Sequence, residues 1–337
     1  MANLSDPSLP AAWFTRFTQA FPQAAGMFPE GTKEMPQLLI NGARNALTPS
    51  PDLDHLRTLA LDLRRTGFPS QEYPAAVETL IVALKDTGEL TEEEEDQLKT
   101  AGEEMAEAAN NADAAGVPAA HAAQVTSAER RGNITVLRLE SGTAVDYAPG
   151  QTLPVMQVGR QGVWHRLAPA LPPSTVGQLE FHVTDELEVS VGDWVTIGGA
   201  GGGEASIGKS ALIVAEGTGL AAAKALVFDL LEREERPQVD LVVGAESVDE
   251  VYDAATFAAL AKAQPWLNVT WVVREGGAAQ WAEAGLPEVR HLHLPLAQAV
   301  AGAGVWWGRD VLISSQRAEE IAEAMRANGA PEPQILG

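Results

Sequence analysis

Glycines grouped with a lysine and a hydroxyl offer the first chemistry in this chain. Gly203-Glu-Ala-Ser-Ile-Gly208-Lys209-Ser210 fits the phosphate-cradling pattern G-x-x-x-x-G-K-S. A working cradle needs a strand before it and a helix after it, so that amides at the helix start face the phosphate. Here a glycine-rich run, Gly198–Gly202, precedes the pattern and a strand-like segment, Ala211–Ala215, follows it. The segment therefore reads as a flexible hinge and not as an ATP site. A second group, Gly217-Thr218-Gly219-Leu-Ala-Ala222, follows a strand and opens a helix, which lets a pyrophosphate approach backbone amides. Close packing of helix on strand explains the same glycines without a ligand. His291 and His293 share a face of a short strand, but no third metal ligand lies nearby in sequence. His55 stands alone as a surface or core residue. With no cysteine in the chain, disulfides, thiolate zinc sites, iron–sulfur clusters and cysteine nucleophiles are excluded. No Ser–His–Asp arrangement stands out, and neither catalytic residues nor a metal site are expected.

The elements that must position these residues change rhythm twice. Up to about residue 115 apolar residues recur at helical spacing: Trp13, Phe14, Phe17, Phe21; then Leu56, Leu59, Ala60, Leu63; then Val77, Leu80, Ile81, Leu84. Thr91 followed by Glu94 predicts a capping box, and the acidic run Glu92–Asp96 suits a first helical turn. Asn110–Ala123 is small, polar and broken by Gly116 and Pro118, the composition of a linker. Period-two segments follow at Ile134–Leu139, Gln178–Val183 and Trp194–Ile197, which predicts a small antiparallel β-barrel. From Ala211 strands and helices alternate: strand 211–215, helix to about Leu231, strand 239–243, helix 249–263, strand 269–273, strand 311–313 and helix 318–327. That alternation predicts a doubly wound parallel α/β sheet. The expected organisation is multidomain α + β + α/β: helical 1–115, linker 116–123, barrel 124–209, α/β 210–337.

Taken in order, these modules resemble a flavohaemoglobin, a globin domain followed by a ferredoxin-reductase-like FAD-binding-type barrel and an NAD-binding-type domain. Trp13-Phe-Thr-Arg-Phe17 to Phe28 resembles the globin B helix, and Leu56–Leu84 the proximal helices. Tyr147-Ala-Pro-Gly150-Gln151 resembles the barrel's Y-x-P-G-Q strand. Gly217-Thr218-Gly219 resembles the nicotinamide loop, and Gly244-Ala245 through Tyr252-Asp253 the next strand and helix start.

Against that resemblance several functional positions carry other chemistry. Counting back from Phe68 puts the haem-ligand histidine of the family at Arg65; counting from Tyr73 puts it at Leu63. Arg65 is the nearer anchor, and a guanidinium has no lone pair for a metal. The distal tyrosine corresponds to Phe14. The flavin run R-x-Y-S corresponds to Arg166-Leu-Ala168-Pro169, which keeps the arginine but loses the stacking ring and hydroxyl. The helix over the flavin pyrophosphate corresponds to an acidic stretch between Val183 and Val191. Glu246 stands where a basic residue faces a ribose phosphate and disfavours NADPH; Ser314-Ser315-Gln316 replaces the C-G-P run, and Ala222 a proline.

The charge is 23 − 46 = −23, with pI near 4.6. Such a field repels nucleic acid and anionic membranes and favours a basic protein partner. No apolar run reaches membrane-span length and no signal peptide is visible, so a cytoplasmic chain is expected, without membrane insertion. The losses together predict a protein-interaction scaffold or regulator with no haem and no cofactor. Alternatives are an NAD(P)H-dependent flavin oxidoreductase with an atypical FAD site built around Arg166, Gly217, Thr218 and Gly219, or a dinucleotide sensor. Trp306 and Trp307 are candidates for an interface or for ordinary core.

Overall fold

Periodic apolar residues at the N-terminus fold as five helices in the computed structural model, which describes residues 3–28, 34–185, 187–287, 290–303 and 306–336. These are α1 (Leu9–Ala20), α2 (Glu34–Ala46), α3 (Leu53–Leu63), α4 (Tyr73–Thr87) and α5 (Glu92–Ala114). Their shared stripe buries Trp13, Phe17, Leu56, Leu63, Leu80, Ile81, Leu84 and Leu98 in one core. Aromatic rings fill much of it: Phe17 lies 5.0 Å from Trp13, 5.3 Å from Phe21 and 5.1 Å from Phe68. The capping box forms as predicted, Glu94 N–H donating to Thr91 Oγ1 at 3.2 Å and Thr91 N–H to Glu94 Oε2 at 2.9 Å.

The chain divides into two compact units. One holds residues 1–121 with the short stretches 155–164 and 196–199; the other holds 122–154, 165–195 and 200–337. The expected linker 116–123 is shorter than read. Helix α5 continues to Ala114, and β1 (Ala120–Arg131) starts before residue 123 because its backbone is already laddered, Ala123 opposite Ser141.

Strand β1 joins β2 (Ile134–Ser141), β3 (Leu153–Gln157), β4 (Trp164–Leu167), β5 (Gln178–Val183) and β6 (Trp194–Gly198) in one sheet, ordered β4-β3-β6-β1-β2-β5. The sheet curls toward closure: Pro169, just after β4, bridges Phe181 on β5, and Ala170 N–H donates to Glu180 O at 2.7 Å. Curling leaves few open edges on a small sheet.

The last part alternates β7 (Ser210–Glu216), α6 (Leu220–Glu232), β8 (Gln238–Ser247), α7 (Ala254–Ala263), β9 (Leu267–Glu275), α8 (Ala278–Glu283), β10 (Arg290–Leu292), α9 (Leu296–Ala303), β11 (Asp310–Ser314), α10 (Ala318–Ala327) and β12 (Gln334–Ile335). The strands pair in parallel in the order β10-β9-β8-β7-β11-β12. Near-continuous apolar strands such as Ala211–Ala215, all fully buried, are what a sheet covered on both faces demands. From β7 the chain winds one way through β8, β9 and β10, then returns to β11 on β7's other side. The reversal lies between β7 and β11, and their carboxyl ends form the crevice of such a sheet. Helix α7 starts at Ala254, five residues later than read, because a short 3-10 turn at Val248–Glu250 and the left-handed Asp253 (φ 58°) intervene.

Replacing Thr91 with alanine removes the acceptor for Glu94 N–H. Its expected cost is about 1 kcal/mol, read as a lowered urea midpoint with an unchanged slope.

Candidate functional site

At the reversal point, β7 runs into Gly217-Thr218-Gly219 and then into α6. The two glycines serve different purposes. Gly217 has φ +56°, and a Cβ there would face open space. At Gly219 a Cβ would stand 1.9 Å from Ser314 O, so this residue is fixed by close packing of the loop on β11. Gly219 has no side chain to cap α6, whose first turn has no side-chain acceptor at its N-cap. Thr218 lies between the glycines and stays half-buried. Packing thus accounts for Gly219, while left-handed backbone and open approach account for Gly217.

Around this loop the strand ends carry charge that is internally balanced. Ser315 Oγ donates to Glu216 Oε2 at 2.8 Å. Arg317 pairs with Glu216 and reaches Glu246 at 3.0 Å, and these carboxylates hold its guanidinium proton more tightly than usual. Arg274 adds a second cation to Glu246 at 3.2 Å. Glu246 is therefore a paired carboxylate at the end of β8.

Beneath the loop lies a buried polar cluster that the sequence reading missed. Lys224, on α6, donates to Glu180 Oε1 on β5 at 2.7 Å and to Asp253 Oδ2 at 2.8 Å. Arg138 donates to Glu180 Oε2 at 2.9 Å, and Arg131 pairs with Asp253. His182 Nε2 sits 3.3 Å from Glu180 Oε1, its Nδ1 sits 3.0 Å from the Tyr252 hydroxyl, and Tyr252 donates to Gly217 O at 2.9 Å. A chain of contacts thus runs from the buried charges to the glycine loop. Burial alone would raise the Glu180 carboxyl; hydrogen bonds from His182 and Lys224 outweigh it and hold the group at about 2. Burial pushes the His182 imidazole below its ordinary value, against the pull of Glu180. A single lysine in the apolar helix Leu-Ala-Ala-Ala-Lys224-Ala-Leu-Val was the signal available, since a solvated lysine has no reason to sit on that face.

The remaining predicted residues fall elsewhere. Arg166 lies against the glycine-rich turn, its Nη1 placed 2.8 Å from where a Cβ of Gly201 would be. Gly201 is bridged to Thr152, and Tyr147 donates to Leu171 O at 3.0 Å. Among the described residues no helix occupies 184–192. In the pattern Gly203–Ser210 two amides are already taken: Ser206 N–H donates to Gln334 Oε1 at 3.1 Å and Gly208 N–H to Asp310 Oδ2 at 2.7 Å. A strand, not a helix, follows, as the sequence predicts.

In the helical unit Arg65 is buried, bonded to Asp62 at 3.0 Å and stacked 4.4 Å from the Trp164 ring centroid. Leu63 is core and Phe14 packs half-buried on the aromatic cluster. Neither Arg65 nor Leu63 can ligate iron, so this position does not fit a haem. His55 is exposed; His291 stacks on Trp281 at 4.8 Å and lies 5.2 Å from His293. Among the described residues no group of three metal-ligating side chains converges. Trp306 is core, whereas Trp307 is 82% exposed. Among the described residues no helix is long and apolar enough to cross a membrane.

No protein-family model matches the chain, and no curated protein matches it. Solved structures do. A flavohemoglobin from Malassezia yamatoensis with bound FAD and heme is similar over 98% of this chain and 94% of its own, with TM-score 0.70 and 14% identity. The flavohem-like FAD/NAD binding domain of nitric oxide dioxygenase from Vibrio cholerae O1 biovar El Tor covers 64% of this chain and 96% of that one, with TM-score 0.51 and 17% identity. A ferredoxin NADP+ reductase from Neisseria gonorrhoeae with bound FAD and NADP covers 65% and 98%, with TM-score 0.51 and 12% identity. The fold is therefore the flavohaemoglobin arrangement, with a reductase-like FAD/NAD module, as the motif order implied. The expectation of a chain without any cofactor is corrected by the same neighbours, which carry FAD together with heme or NADP. Missing side chains outweighed the Gly217–Gly219 amides in that expectation, although backbone can hold a pyrophosphate without them.

Lys224→Met leaves Glu180 and Asp253 short of a cation in a dry site, and should cost about 3 kcal/mol in chemical denaturation. The folded Glu180 value lies below its ordinary 4.5, so its stabilisation is full above that value and lost as pH falls from 4.5 toward about 2. Glu180→Gln should be weaker at neutral pH and show a flatter stability profile through that acid window.

Proposed function

We propose that this chain is an NAD(P)H-dependent flavin oxidoreductase whose nucleotide sites rest on backbone more than on the side chains usual for the fold. The observation that carries the reading is the Gly217–Gly219 loop: a left-handed glycine facing open space at the reversal point of a doubly wound sheet, opening a helix without a side-chain cap. The α6 amides and helix dipole would meet the pyrophosphate of the nicotinamide nucleotide. Pairing of Glu216 and Glu246 with Arg317 and Arg274 offsets the negative field that would otherwise repel it. Glu246 can accept from ribose hydroxyls and disfavours a ribose phosphate, so NADH is the expected donor. Ser314 and Ser315 stand at the end of β11, across the loop from Gly219, where the nicotinamide would lie. Arg166, beside the turn at Gly201, would supply a cation to a flavin phosphate. When bound, the flavin accepts a hydride from the reduced nicotinamide.

The test is calorimetry with FAD and NADH, followed by NADH-dependent ferricyanide reduction after FAD loading. Gly217→Asn and Gly217→Asp both tolerate the left-handed backbone, but only aspartate puts a charge in the approach path. NADH should bind Gly217→Asp about tenfold more weakly than Gly217→Asn, about 1.4 kcal/mol. Equal affinities would remove the loop from the site. Folded protein that binds neither FAD nor NADH would end the reading. Gly219 is unsuited as a control, because any side chain there collides with Ser314 O.

A further inference from the structure

Three contacts link Gly217 O, the Tyr252 hydroxyl, the His182 ring and Glu180 Oε1, at 2.9, 3.0 and 3.3 Å. Each needs one hydrogen between its heavy atoms. Tyr252 supplies one, and a neutral His182 supplies one more. Two hydrogens cannot satisfy three contacts. If Nε2 carries the imidazole proton, it donates to Glu180. Nδ1 then takes the tyrosine hydrogen, and Gly217 O keeps only the N–H of Leu220. If Nδ1 carries it, Tyr252 can donate to Gly217 O, but the bare Nε2 lone pair faces the Glu180 carboxylate; that repulsion keeps the neutral ring's proton on Nε2, so the Gly217 contact is the one lost. One proton taken from solvent makes His182 an imidazolium and completes all three contacts.

We propose that His182 and Tyr252 are positioning residues that tie the glycine loop to the buried charge cluster, holding Gly217 firmly when the imidazole is protonated and loosening it when it is neutral. The inference adds regulation to the nucleotide site proposed above and rests on that reading for its functional meaning. The groups facing His182 are Glu180 on its own strand, Lys224 from α6, and Tyr252 with Asp253 ahead of α7. Arg138 on β2 and Arg131 on β1 stand one contact further out. Lys224 opposes the proton and the two carboxylates favour it. Burial also opposes it, so the change falls on the acid side of the ordinary imidazole value. Tightening of the loop is local: it accompanies the general loss of stability on acidification and does not reverse it.

The experiment uses the full chain without nucleotide, so failure of NADH or FAD to bind leaves it readable. Amide hydrogen exchange, expressed as protection factors, is followed at 216–220 between pH 7.5 and 5 and referred to the amides of β9. In the wild type, loop protection relative to β9 should rise about fivefold on acidification, the worth of one hydrogen bond. In Tyr252→Phe that pH dependence should vanish while β9 stays protected. Nitrogen NMR of the His182 ring in the wild type gives an independent reading if the variant fails to fold. It should show a neutral ring giving way to imidazolium over the same interval. A ring that stays neutral at pH 5, or loop protection that tracks pH equally in Tyr252→Phe, would overturn the proposal.

Discussion

One ammonium group ties the two halves of the reductase-like part together. Lys224 sits in the apolar face of α6 and is shared by a carboxylate from the curled sheet, Glu180, and one from the α/β layer, Asp253. Arg131 and Arg138 complete the set from its solvent side, so positive and negative charges alternate around the buried carboxylates. Such groups add little net stability compared with apolar packing, but each depends on all the others. The geometry they share is specific: α6 lies where its lysine meets β5, and Asp253, with a left-handed backbone, has its carboxylate on Lys224 and Arg131. Since α6 begins at Gly219, the charge cluster also sets where the glycine loop stands.

That arrangement separates two kinds of glycine that look alike in a motif. Gly219 is required by the carbonyl of Ser314, whatever the site binds. Gly217 is required by backbone handedness and faces outward. The loop is therefore partly scaffold and partly open surface, and a shared motif does not tell the two apart. The same distinction applies to Glu216 and Glu246, which read as repulsive in isolation but are neutralised by Arg317 and Arg274 from later strands and helices.

The fold was legible where period and punctuation act locally. Helical stripes, the Thr91 capping box, the alternating strands of the curled sheet and the parallel strands from Ala211 onward all follow from spacing, and α10 was located to its residues. The short elements α8, α9 and β12 were not, because such brief segments carry too little pattern, and of β10 only the shared face of His291 and His293 hinted at a strand. At the site, the glycine loop was legible, since its neighbours in sequence are its neighbours in space. The buried cluster was not: Arg131, Glu180, Lys224 and Asp253 are spread over more than a hundred residues, and only pairing across sheets reveals that each has a partner. Loss of side chains does not translate into loss of cofactor, because backbone amides can meet a pyrophosphate whatever side chains surround them.

The glycine-lysine pattern at Gly203–Ser210 shows how a chain can guard against an unwanted guest. Gln334 and Asp310, distant in sequence, already occupy amides of Ser206 and Gly208. A nucleoside triphosphate arriving from the surrounding pool would have to evict a carboxylate and an amide side chain that are tethered in place, and would meet aspartate's charge while doing so. A motif read along the chain can thus be closed by residues that sequence spacing never brings near it.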